Sequence, residues 1–171
     1  MTDAAVALFV GAGCLAVLDW IAVARELRPL EYLAKPLTMV ALIAAALALD
    51  PTDSAQRTWF VVALVFSLAG DVFLMLPREQ FLPGLASFFV AHVAYIVGFV
   101  VAGNLSETRL IAAIVVLALI DVVVLRSMLR PMRQDDDARP FIGPVIGYAT
   151  VISVMVAVAF AHGIWLAVLG A

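Results

Sequence analysis

The sequence predicts an all-α, polytopic bundle of membrane-spanning helices, on three observations. Of 171 residues, 65% are hydrophobic and only 13% charged, whereas apolar residues make up about half of a soluble domain. The mean hydropathy is +1.14. The apolar residues gather into six runs of near-bilayer length, joined by connections too short to fold by themselves, so one transmembrane domain over residues 1–171 is expected.

The first run, Ala4 to Val23, follows an amino terminus with no basic segment and is longer than the core of about 7–15 residues found in signal peptides, so it is expected to stay as a span. The second, Pro36 to Leu49, is short for a bilayer. It is expected to borrow "YLAK" at its start, with Lys35 reaching towards the headgroups and Pro36 in the first helical turn, where a missing N–H costs nothing. The third and fourth runs are Thr58 to Leu76 and Leu82 to Val101. The fifth, Leu110 to Leu129, leads into "RSMLRPMRQDDDARP", whose mixed charge and two prolines predict a solvated turn. Ile142 to Ala161 is the sixth. A last apolar stretch, "GIWLAVLGA" from Gly163, is too short to cross as a helix.

Of the ten basic residues, Arg25, Arg28, Lys35, Arg78, Arg126, Arg130, Arg133 and Arg139 follow the first, third and fifth runs, against Arg57 and Arg109 on the other side. The asymmetry places the amino terminus outside and the basic loops in the cytoplasm. The alanine-rich, arginine-biased composition points to a bacterial inner membrane. A net charge of -3 without a continuous basic patch speaks against nucleic acid as a partner. Cys14 is the single cysteine, which excludes an internal disulfide. No internal repeat of the kind found in many transporters is present.

Inside the apolar runs, the ionisable and polar groups fall towards the predicted cytoplasmic ends. Asp19, Asp71, Tyr148, Asp121, Ser67 and His92 lie between about 6 and 15 Å from those ends at 1.5 Å per residue, with Lys35 at the mouth of the second helix. A charge facing lipid costs several kcal/mol, so these carboxylates are expected to face inward, towards one another or a wet cavity. In "SLAGDVFLML", Ser67 shares a face with Asp71, and Gly70 allows a neighbouring helix or a substrate chain to come close. Gly84, Phe88, His92 and Tyr95 form one stripe on the fourth helix. Tyr148 and Ile152 are one turn apart on the sixth, with Ser153 on another face. With two histidines in the chain, a three-histidine zinc site cannot form, although a mixed carboxylate and histidine site for a divalent ion stays open. Bland roles compete at each position: an end-of-helix aspartate for Asp19, pairing with Arg25 or Arg126 for Asp121, an interfacial anchor for Tyr148, and a helix-tying core histidine for His92.

The succession "KPLTM", "SLAGDVFLM", "GLASFFVAHVAY" and "YATVISVM" resembles the YhhN family of integral membrane proteins, the lysoplasmalogenase type. The resemblance implies an eight-helix fold. For characterised animal members it implies hydrolysis of the vinyl ether bond of lysoplasmalogens to a fatty aldehyde and a glycerophospho-base. Its polar positions fall here on Lys35, Ser67, Asp71, His92, Tyr95, Tyr148 and Ser153. The family pattern continues into a span with a second serine–aspartate motif and a final helix, whereas this chain ends at Ala171; a chain lacking those helices is the expectation, with Asp19 and Asp121 as the remaining carboxylates.

Vinyl ether hydrolysis suits carboxyl groups, since it needs an acid, an anion and a base for water but neither a redox cofactor nor a metal. That chemistry casts Asp71, His92 and Tyr148 as catalytic and Lys35, Ser67, Tyr95 and Ser153, together with Asp19 and Asp121 from outside the family pattern, as lining the substrate, a lysophospholipid. A serine esterase fits less well, because no G-x-S-x-G elbow occurs. Two other classes stay open: a small proton-coupled transporter using the same carboxylates, and a structural protein whose polar residues only join helices.

Overall fold

The computed structural model describes residues 2–76 and 80–163. Among them are six long helices, one 3₁₀ turn and no strand. The helices are α1 (Asp3–Ala24), α2 (Arg28–Ala48), α3 (Ser54–Met75), α4 (Phe81–Val101), α5 (Glu107–Gln134) and α6 (Ile142–His162), with the 3₁₀ turn Arg139–Phe141 leading into α6. All six are long and apolar enough to cross a membrane. The chain divides into two compact units, with the boundary inside α4 between Ala94 and Tyr95.

Polar caps move several helix starts away from the edges of the apolar runs. Asp53 accepts the N–H groups of Ala55 and Gln56 at 2.7 and 3.1 Å, so α3 begins at Ser54 rather than Thr58. Ser106 accepts from the N–H of Arg109 and starts α5 at Glu107 rather than Leu110. The second helix differs most. It begins at Arg28 with Pro29 in the first turn, and Pro36 lies inside it. The proline tolerated at a helix start is therefore Pro29; Pro36 leaves the Tyr32 carbonyl without its usual donor four residues on.

The expected turn after the fifth run is also corrected, because α5 continues to Gln134 with Pro131 inside it. Arginine at a helix end leaves the helix intact once it has passed the apolar layer, so the break falls only at Asp135–Ala138. Gly163 caps α6 with φ of +89°; the rest of the expected stub lies outside the described residues.

In the first unit α1 packs on α2 and α2 on α3. The Thr2 hydroxyl donates to the Ala48 carbonyl at 2.7 Å, joining the start of α1 to the end of α2. Arg57 reaches back from α3 to the carbonyls of Leu47 and Leu49, at 3.4 and 3.1 Å, and caps α2. At the opposite end, α1 stops in a Schellman turn in which Leu27 N–H bonds Ala22 O at 2.8 Å and Glu26 N–H bonds Val23 O at 3.1 Å. Glu26 occupies the left-handed position of that turn, φ 57°, where glycine is the usual residue.

The interior is made of small residues. Ala5, Ala12, Ala22, Ala34, Ala45 and Ala63 are buried, while Val10, Trp20, Leu33 and Leu47 point outward. Lipid tails are as apolar as leucine, so helices gain contact by bringing backbones close rather than by hiding large side chains. The α3–α4 contact shows it best. A Cβ on Gly70 would lie 2.7 Å from the Phe88 ring, and one on Gly84 would lie 2.7 Å from Leu74 Cδ2.

In the second unit α5 packs on α6, and the 3₁₀ turn touches both. Ser106 N–H donates to Ala161 O at 3.1 Å, tying the start of α5 to the end of α6. Buried Val151, Met155, Val158 and Ala159 on α6 form its core.

Two expectations for thermal unfolding in detergent follow from this packing. Gly70→Ala must displace Phe88 and should lower stability by about 1–3 kcal/mol, whereas Gly11→Ala, with nothing within 4 Å, should raise it by about 0.5–1 kcal/mol. Relieving the left-handed turn by Glu26→Gly should stabilise the protein by about 1 kcal/mol; no gain would mean that the turn carries no strain.

Candidate functional site

Two charged side chains of the first unit, from α2 and α3, meet near one end of these helices, and a third, Asp19 of α1, is near enough to act on one of them. Lys35 Nζ is 3.9 Å from Asp71 Oδ1, and the side chains are 37% and 16% exposed. Asp19 is the other charged group acting electrostatically on Asp71. Its Oδ1 is buried without a hydrogen-bond partner among the described residues.

The placement follows from the helix bounds. Because α2 starts at Arg28, Lys35 sits seven residues further along, about 10 Å into the helix. Asp71 is four residues before the end of α3, and Asp19 five before the end of α1, so each lies about 6–8 Å inside. Consecutive helices run in opposite directions, which brings the end of α1, the start of α2 and the end of α3 to the same side. Lys35 therefore lies within α2 rather than at its first turn, and there it reaches Asp71.

Phe88 and His92 support this region from α4. The Phe88 ring fills the hole left by Gly70, one residue before Asp71. His92 Nδ1 is 2.6 Å from the Phe88 carbonyl. A carbonyl only accepts, so Nδ1 carries the hydrogen. Ser67 lies half-buried one turn before Asp71.

The remaining candidates belong to the second unit. Tyr95 lies on α4 just past the boundary, Asp121 on α5, and Tyr148 and Ser153 on α6, all half-buried. Among the described residues no group of three or more histidine, cysteine, aspartate and glutamate side chains converges to hold a metal ion. Sequence reasoning did not single out His162. Its two ring nitrogens are buried without hydrogen-bond partners among the described residues, and its ring lies 6.0 Å from that of Phe99. Its place at the end of an apolar run resembled an ordinary helix terminus, which left no signal.

The sequence model of the YhhN family matches residues 30–171, most of the chain. The chain belongs to the YhhN family. The YhhN match includes Lys35, Asp71 and His92, whereas α1 and Asp19 lie before it. No curated protein and no solved structure matches the chain.

An exposed ion pair contributes about 0–1 kcal/mol, but an unpaired charge within a bilayer costs about 2.5–3.5 kcal/mol. Orphaning one partner therefore outweighs losing the attraction. Lys35→Met alone should destabilise the protein more than Lys35→Met combined with Asp71→Asn, with a coupling of about 0.5–3 kcal/mol in a double-mutant cycle. Additive effects would show that the two side chains do not interact.

Proposed function

We propose that this YhhN protein is a membrane-embedded hydrolase of the lysoplasmalogenase type, cleaving the vinyl ether bond of lysophospholipids. The observation that carries the reading is the Lys35–Asp71 contact with Asp19 beside it, two carboxylates and one ammonium within apolar helices. The reaction needs one carboxyl group as acid and one carboxylate as anion, and this cluster supplies two such groups with an ammonium to balance charge.

The chemistry divides between them. The proton passes to the alkenyl carbon β to the ether oxygen, giving an oxocarbenium ion that the remaining carboxylate stabilises. Water adds to the cationic carbon bonded to the ether oxygen and returns a proton to a carboxylate, forming a hemiacetal. Collapse breaks the carbon–oxygen bond and releases a fatty aldehyde and the glycerophospho-base. Asp71 and Asp19 form the pair, Lys35 balances its charge or meets the substrate phosphate, and His92 helps to hold the water or polarise the ether oxygen.

The arginine asymmetry puts this end of the helices on the cytoplasmic side of a bacterial inner membrane, with the amino terminus outside. Substrate then enters from the inner leaflet, its alkenyl chain among the apolar helix faces.

Purified protein in detergent should release aldehyde from a lysoplasmalogen but not from its saturated alkyl-ether or acyl analogues. Asp71→Asn and Asp19→Asn should each lower kcat by about 10²–10⁴ while the helices remain folded. Proton uptake into proteoliposomes down an imposed gradient, without aldehyde, would instead make the protein a proton-coupled carrier. Neither activity, with destabilised variants, would make the cluster helix glue.

A further inference from the structure

The carboxyl-terminal third of α5 carries a feature unconnected with the Asp71 cluster. Arg126, Arg130 and Arg133 recur at intervals of four and three residues, which stacks them on one helix face. With Val122, Leu125 and Leu129 they line a concavity of about 430 Å³. Its floor is Leu129, 7% exposed, and the three arginines are exposed at its rim. Going along the helix, the lining changes from apolar to cationic.

The length of α5 puts that change at a membrane surface. At 1.5 Å per residue its 28 residues extend about 42 Å, against a hydrocarbon core of about 30 Å. Arg126 is the twentieth residue of the helix, where a span leaves the core. The nearby acidic residues do not neutralise the stripe. Asp136 pairs with Arg139 at 2.9 Å, and the Arg139 Nε donates to the Arg133 carbonyl at 3.0 Å. Among the described residues none of the three stripe arginines takes part in an ion pair.

We propose that this concavity binds an anionic phospholipid, its phosphate held by Arg126, Arg130 and Arg133 and the upper part of an acyl chain lying on Val122, Leu125 and Leu129. Guanidinium groups hold phosphate oxygens in pairs of parallel hydrogen bonds, which a lysine ammonium cannot do. A free inorganic phosphate would leave the apolar half of the concavity unused; an amphiphile fills both halves. The site is a lipid-anchoring point independent of hydrolysis.

The test uses the full chain in a mild detergent and a fluorescent short-chain phosphatidylglycerol. Binding should be saturable, at least tenfold tighter than for the matching phosphatidylcholine, and not displaced by millimolar inorganic phosphate. A juxtamembrane arginine contributes about fivefold in lipid affinity. Arg126→Gln, Arg130→Gln and Arg133→Gln together should thus lose about 100-fold, and Arg130→Gln alone about fivefold, which provides a readout if the triple variant fails to fold. The same three positions changed to lysine should still weaken binding severalfold, while Arg25→Gln and Arg28→Gln, on the α1–α2 turn, should leave it unchanged. Equal binding by the arginine and lysine forms would reduce the effect to diffuse attraction and overturn the proposal. So would full displacement by inorganic phosphate, or binding that survives all three glutamine changes.

Discussion

Close approach of backbones is the constraint on which the rest of this protein depends. In lipid, large apolar side chains gain little by turning inward, so in the first unit the positions between helices go to alanine and glycine and most bulky residues face out. Where α3 meets α4 the rule is at its tightest. Gly70 leaves room for the Phe88 ring, and Gly84 for Leu74. That contact fixes the turn of α3 from which Asp71 projects, so a packing rule and a candidate reactive group share one helical turn.

A second dependence links the polar cluster to helix bounds. Had α2 begun at Pro36, Lys35 would stand at its first turn. Beginning at Arg28, the helix carries the lysine about 10 Å inward, where its ammonium answers Asp71 at 3.9 Å. The interior proline comes directly after Lys35, and the Thr38 hydroxyl bonds the Ala34 carbonyl at 2.8 Å beside it. The family match includes the lysine and one aspartate, while the other aspartate comes from the helix before the match.

Much of this was legible in the sequence because a membrane imposes a coarse pattern. Six apolar runs give six helices, and the family succession from "KPLTM" to "YATVISVM" lies within the matched residues. What the runs conceal is everything decided by polar residues at their edges. Asp53 and Ser106 cap helices from outside the apolar stretch, so hydropathy places those starts too late. Arg126 to Arg133 ends the apolar signal but not the hydrogen-bond ladder, so the fifth helix runs on past its apolar run to Gln134. Depth along a span ranked Asp19, Asp71 and Asp121 together, yet depth carries no azimuth. Only the packing of α1 and α3 against α2 sets Asp71 beside Lys35, with Asp19 near enough to act on Asp71.

The hairpin of α1 and α2 has a consequence for how the chain enters a bilayer. It is closed at one end by the Schellman turn through Glu26 and at the other by the Thr2–Ala48 hydrogen bond. Of the six spans α2 is the least apolar, and it contains an ammonium and an internal proline. Such a segment leaves the translocation channel reluctantly by itself. Docked on the far more apolar α1, it presents lipid with leucines and valines, and its ammonium meets its counter-charge only when α3 arrives with Asp71. The lysine thus makes the third span, and not the hairpin by itself, the step that completes this part of the bundle.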